Sequence, residues 1–180
     1  MKTYVALFRG INVGGNNIIS MKDLKNLFEK LKFQNVRSYI QSGNVIFDSS
    51  ETDLNKLLSQ ITVTMQNTLR MNPHIFLLGM EDIKEAIKLN PFSKTAEDNK
   101  SLHLFFLESK PDEAGIKKME TVKRQSEQFI LKDRVFYLYA PEGVGKSNLA
   151  ANVERLLGVS VTARNWRTTN EVYRLMSEQN

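Results

Sequence analysis

No cysteine occurs in the 180 residues. Disulfides, thiolate metal sites and cysteine nucleophiles are therefore excluded. Only two histidines are present, His74 and His103, each in or beside an extended apolar run. A satisfied structural histidine is the plainer reading of both, so a histidine zinc site or a Ser-His triad has little support. No apolar run approaches the ~20 residues of a membrane span. Met1-Lys2-Thr3 leads straight into strand-like sequence without a signal-peptide pattern, so a cytoplasmic location is expected. No basic tail or Lys/Arg run interleaved with aromatics appears either. The net charge is +5 and the pI about 9.4. Residues 1–90 carry 11 Lys and Arg against 8 Asp and Glu, and residues 91–180 carry 14 against 12. An excess spread this evenly gives nucleic acid little support as a partner and reads as a solvated, slightly basic surface.

What is present is periodic. Tyr4-Val5-Ala6-Leu7-Phe8 is a continuous apolar run of the kind that forms a buried strand, about Thr3–Arg9. Leu24, Leu27, Phe28 and Leu31 then fall on one helical face, with Ser20 as the N-cap. Val36–Gln41 and Asn44–Asp48 form a hairpin about Ser42-Gly43, where glycine supplies a positive φ. A long helix from about Thr52 to Met71, a strand His74–Leu78 and a short helix Met80–Leu89 follow.

The polar segment Asn90–Lys100, with Pro91, breaks the pattern and reads as a connection. The same order then returns: strand Ser101–Glu108, a helix from Pro111-Asp112, hairpin Gln128–Lys132 and Arg134–Ala140, helix Lys146–Leu157, strand Val159–Thr162 and helix Asn170–Ser177. Each half reads βαββαβ plus a trailing helix. The predicted fold is α+β, two tandem ferredoxin-like subdomains spanning 1–95 and 96–180.

Three stretches could carry chemistry. Ala140–Ser147, APEGVGKS, follows a strand and opens a helix, one residue short of a P-loop because Ala140 stands where the first glycine belongs. Gly143, Gly145, Lys146 and Ser147 would suit an anion at a helix N-terminus. An NTPase is disfavoured, because only 33 residues follow Ser147 and none forms an apolar strand ending in a magnesium-binding aspartate. The second stretch is Arg9, Asn12, Gly14, Gly15 and Asn17 after the first strand, together with Ser42 and Asn44 at the hairpin tip. Sequence does not decide whether those two loops adjoin, and each residue is also a good turn former. The third is Thr162–Thr169, with Arg164, Asn165 and the only tryptophan, Trp166, expected to join the last strand to the last helix. An indole beside a guanidinium can stack on a base or grip a phosphate, and can equally anchor a helix.

"RGINVGG" at Arg9–Gly15, "YIQSGNV" at Tyr39–Val45 and "TARNW" at Thr162–Trp166 resemble, in that order, the bacterial family known as domain of unknown function 1697. The glycine-rich turn of that family often reads G-x-G-R-S, so Lys146 is a departure that weakens the P-loop reading further. The resemblance implies two ferredoxin-like subdomains and no established activity.

The function expected on these grounds is binding of an anionic, phosphate-bearing small molecule, with no catalytic residue, metal ligand or cofactor assigned. One alternative is an enzyme acting on a phosphorylated substrate, with Lys146 and Arg9 stabilising charge. No activated nucleophile supports it, since Glu81, Asp82 and Glu85 read as the solvated face of a helix. The other alternative is a structural or protein-interaction module whose glycine-rich loops are plain turns.

Overall fold

The computed structural model describes residues 1–12, 17–41, 43–94 and 100–178. The elements run β1 (Lys2–Phe8), α1 (Met21–Lys30), β2 (Gln34–Tyr39), β3 (Asn44–Ser49), α2 (Leu54–Leu69), β4 (Ile75–Gly79) and α3 (Met80–Lys88). The series then repeats as β5 (Leu102–Leu107), α4 (Glu113–Val122), β6 (Gln128–Lys132), β7 (Val135–Tyr139), α5 (Asn148–Leu157), β8 (Val161–Asn165) and α6 (Trp166–Ser177). One sheet has the order β2-β3-β1-β4 and the other β6-β7-β5-β8, with every neighbouring pair antiparallel. Both are the ferredoxin-like order, so the chain is an α+β protein of two tandem βαββαβ motifs, each with a trailing helix.

Contacts divide the chain into a first unit, Met1–Lys84 with Glu171–Asn180, and a second, Glu85–Asn170. The division falls inside α3 and α6. The junction expected at 95/96 lies outside the described residues.

In the first unit, one face of the sheet presents Tyr4, Ala6, Phe8, Val45 and Phe47 to Leu24, Leu27 and Phe28 of α1 and to Leu57, Ile61 and Met65 of α2. Phe28 meets Phe47 edge-on at 5.1 Å, and Phe33 stacks on Phe47 at 4.4 Å. Burial of each such ring contributes about 1.5–3 kcal/mol. The opposite face is buried as well: Val5, Leu7 and Ile46 are at most 1% exposed. Two covered faces explain why β1 is a continuous apolar run, where a strand with one wet face would alternate.

The second unit repeats this arrangement. Phe105, Leu107, Phe136 and Leu138 face Met119 of α4 and Leu149, Val153 and Leu157 of α5. On the other face Leu102, Leu104, Phe106 and Tyr137 are buried. The Tyr137 hydroxyl donates to the Ala86 carbonyl of α3 at 2.9 Å. Helices α4 and α5 approach closely at Gly115, where a Cβ would stand 2.2 Å from the Leu156 carbonyl oxygen. No helix among the described residues is long and apolar enough to cross a membrane.

One end of the chain departs from the sequence reading. The last strand was expected over Val159–Thr162 and the last helix over Asn170–Ser177, with a loop between. Instead β8 extends through Asn165 and α6 begins at Trp166. Pairing with β5 recruits the polar Arg164 and Asn165 into the sheet, at Leu104 and His103. The helix then starts at once because the Asn165 side chain accepts from Thr168 N at 2.7 Å, as an N-cap does.

Candidate functional site

β1 runs antiparallel to β3 with Leu7 opposite Asn44, and to β4 with Phe8 opposite Ile75. The C-terminal end of β1 therefore lies between the tip of the β2–β3 hairpin and the start of β4. Phe8 N donates to Gly43 O and Arg9 N to His74 O, both at 2.9 Å. Gly43 is buried with φ +72°, and an added Cβ would stand 2.5 Å from Ile11 Cδ1 and 2.8 Å from Phe8 Cβ. Glycine is required here both for the left-handed turn and for the close approach of the two loops.

Asn12 joins these loops. Its Nδ2 donates to Ile19 O at 2.9 Å and to Gln41 O at 3.0 Å, and its Oδ1 accepts from Ile19 N at 2.8 Å. The amide therefore uses both donor hydrogens and its acceptor. Its own backbone is left-handed, φ 55°, a conformation asparagine tolerates better than most residues. Asn17, also left-handed, donates from Nδ2 to Gly10 O at 3.1 Å and accepts through its carbonyl from Asn12 N at 3.2 Å. Asn44 is buried and ties the hairpin by donating to Tyr39 O at 3.0 Å. Arg9 is exposed on this rim. Gly14, Gly15 and Ser42 lie outside the described residues.

The second unit provides an internal comparison. The same backbone pairs recur, Leu107 N to Arg134 O at 2.9 Å and Glu108 N to Ser160 O at 3.0 Å. Yet the connection from β5 to α4 is only residues 108–112, whereas that from β1 to α1 is residues 9–20. The fold closes with five residues there, so the longer loop of the first unit exceeds what topology requires.

The glycine-rich turn leaves β7 at the opposite end of the second sheet. Gly143 N, Lys146 N and Ser147 N donate within the turn, to the carbonyls of Ala140, Gly143 and Val144. Ser147 is buried, and its Oγ caps α5 by accepting from Ala150 N at 2.9 Å. The hydroxyl that a P-loop offers to magnesium thus accepts a backbone hydrogen here. Gly143 and Gly145 face open space, and Lys146 is exposed. A carboxylate already stands in the turn. Glu142 accepts from Ser126 Oγ and pairs with Arg124, each at 2.6 Å. The serine hydrogen bond and the Arg124 charge, with a smaller contribution from Lys146, lower its pKa.

Asn165 and Trp166 occupy that same end of the second sheet, since β7 and β8 both finish beside the start of β5. Arg164 is 8% exposed, and burial pulls its pKa down to about 10. Its guanidinium donates to Thr162 Oγ1 at 2.9 Å and to Ala163 O at 2.8 Å. Trp166 is half-buried at the first position of α6 and makes no cation–π contact among the described residues. His103, close by, is pushed down to a pKa of about 4 by burial, and its Nδ1 has no hydrogen-bond partner among the described residues. No group of three or more His, Asp and Glu placed to hold a metal occurs among the described residues.

The family model described as "Protein of unknown function (DUF1697)" matches residues 1–137, which include Arg9, Asn12 and Asn17 and the hairpin residues Gln41, Gly43 and Asn44 just placed side by side. The chain belongs to this family. The DUF1697 match ends before the Gly143–Ser147 turn and before Thr162–Trp166. A solved structure, that of the conserved bacterial protein SP0830 from Streptococcus pneumoniae, is similar in fold, with a TM-score of 0.77 and 23% identity over 98% of this chain and 99% of that one. No protein of curated function matches the chain.

In this DUF1697 protein, then, Arg9, Asn12, Asn17 and Asn44 fall in one place in the first unit. Gly143, Gly145, Lys146, Ser147, Asn165 and Trp166 lie at one end of the second sheet, with Arg164 buried in β8. Sequence reasoning placed Gln41 at the hairpin tip without its bond to Asn12, read His74 as structural, and missed the apolar neighbours Ile18 and Ile40. It also missed Arg124 and Ser126 as partners of the glycine-rich turn. The Gln41 carbonyl, His74, Arg124 and Ser126 carry no local signal, because each meets a partner 16 or more positions away.

Proposed function

We propose that this protein binds a small anionic, phosphate-bearing ligand at the loop pair of the first unit, with Arg9 as the cation. The observation that carries the reading is the Asn12 amide, which locks two separate loops into one rim through bonds to Ile19 and Gln41. A guanidinium on a rim held in this way is pre-organised to meet an oxyanion, which lowers the entropic cost of binding. The glycine-rich turn and Trp166 take structural roles in this reading, because Ser147 and Asn165 already cap the helices they introduce.

A second reading, an enzyme acting on a phosphorylated substrate, is favoured by one contact. His74, an exposed residue, accepts the Arg9 N–H through its backbone carbonyl at the same rim, and an imidazole is the side chain most often used as a general acid or base.

Thermal melting with inorganic phosphate, read on wild type, Arg9→Ala and Lys146→Ala, tests the choice of site. A ligand at a hundredfold excess over Kd stabilises by about 2.7 kcal/mol. The expected result is a phosphate-dependent rise in wild type and in Lys146→Ala, absent in Arg9→Ala. Loss in Lys146→Ala instead would move the site to the glycine-rich turn, and no rise in any protein would refute anion binding. Phosphate release from a phosphate ester that disappears in His74→Ala would establish the enzyme reading.

A further inference from the structure

The two carbonyls gripped by the Asn12 amide belong to Ile19 and Gln41. The residue before each is an isoleucine, and each is exposed: Ile18 by 74% and Ile40 by 49%. Since both carbonyl oxygens lie within 3.0 Å of one nitrogen, the two segments that bear these side chains meet at that point. Arg9 adjoins them. It precedes Gly10, whose carbonyl is held by Asn17, the residue before Ile18.

Ile40 is anomalous. Its φ is +51°, the left-handed region, where a β-branched side chain crowds its own backbone. A turn residue in that conformation is ordinarily glycine or asparagine. A strained isoleucine is retained for the fold when burial of its side chain compensates, but half of this one faces solvent. Local structure would be better served by asparagine at position 40. The side chain therefore has its use at the surface, and an observed backbone outlier is the kind of feature that marks a ligand-contacting position.

We infer that the ligand of this rim is a phosphate ester with an apolar organic part, its phosphate on Arg9 and its apolar part covering Ile18 and Ile40. The inference rests on the anion-binding reading above and adds the chemistry of the ligand's other half. Charge at Arg9 selects the phosphate. Two exposed aliphatic side chains on segments that meet at Asn12, costly to leave in water, select an ester with a hydrophobic group over inorganic phosphate.

The experiment compares inorganic phosphate with phenyl phosphate by calorimetric titration of the full chain. Wild type is expected to bind phenyl phosphate at least tenfold more tightly. Ile40→Asn should bring phenyl phosphate to the affinity of inorganic phosphate while leaving inorganic phosphate unchanged. Its melting temperature without ligand should equal or exceed that of wild type, because asparagine suits the left-handed turn. Ile18→Ser should reduce the preference in the same direction, and Arg9→Ala should weaken both probes. Equal affinity of the two probes, unaltered by either isoleucine variant, would overturn the inference and leave anion binding standing. Binding of neither probe would overturn both. A fall in the melting temperature of Ile40→Asn would show that isoleucine serves the fold at this position, and would remove the argument.

Discussion

The side-chain amide of Asn12 donates to the carbonyl of Gln41 at 3.0 Å, across 29 residues of sequence. The same amide exchanges two further bonds with the backbone of Ile19. This single side chain holds the loop after β1 to the hairpin tip.

Replacement of Asn12 by alanine removes all three bonds and leaves the Ile19 N–H and the two carbonyls to find water. It also places alanine at φ 55°. At about 1 kcal/mol per net hydrogen bond and about 1–2 kcal/mol for the left-handed backbone, a loss of roughly 4–5 kcal/mol is expected. Urea unfolding measures it: the midpoint should fall while the slope m stays constant, because the core is untouched. Phosphate affinity should fall in the same variant, since Arg9 would lose its fixed rim.

Gly115→Ala sets two effects against each other. Helix propensity alone favours alanine over glycine inside α4 by about 1 kcal/mol. The added Cβ would stand 2.2 Å from Leu156 O and 3.2 Å from Leu157 Cα, and both are backbone atoms of α5 that cannot rotate away. Overpacking of this kind costs about 1–3 kcal/mol, so the geometric term should prevail and the protein should lose stability. Gly145→Ala is the control, with no atom within 4 Å of its Cβ. It should change the melting temperature little. A Gly115→Ala protein as stable as wild type would show that α4 and α5 can separate without loss.

His103 makes stability depend on pH. Burial lowers its pKa from the ordinary 6.5 to about 4, so the unfolded chain takes up this proton at a higher pH than the folded one. The contribution is fully present above pH 6.5 and is lost as pH falls towards 4, on the order of 3 kcal/mol at most. Carboxylates add their own slope over part of this range. The informative quantity is therefore the difference between wild type and His103→Leu. The variant should lose less stability between pH 6.5 and pH 4, as read by urea unfolding at each pH. Parallel pH profiles for the two proteins would exclude His103 as the cause.

The two βαββαβ motifs were legible in the sequence because secondary structure follows local periodicity and caps. The apolar stripe of α1, the Ser20 cap and the mostly apolar runs of β1 and β5 each act within a few residues. The arrangement of the strands followed from element order, since connections of these lengths leave few ways to close an antiparallel sheet. The end of β8 was not legible, because Arg164 and Asn165 join a strand only through pairing with β5, a segment about sixty residues earlier.

The candidate site shows the same division. The sequence marked Arg9, Asn12 and Asn44 as polar residues in glycine-rich loops. It did not show that Asn12 reaches Gln41, that Gly43 must be glycine to fit against Ile11, or that Ser147 uses its hydroxyl as a helix cap. Nor did it show Ile40 in a left-handed turn with its side chain in water. Amino-acid order specifies which groups a loop carries. Which of them are satisfied internally and which face solvent depends on contacts across the sheet, and only the tertiary structure sets those.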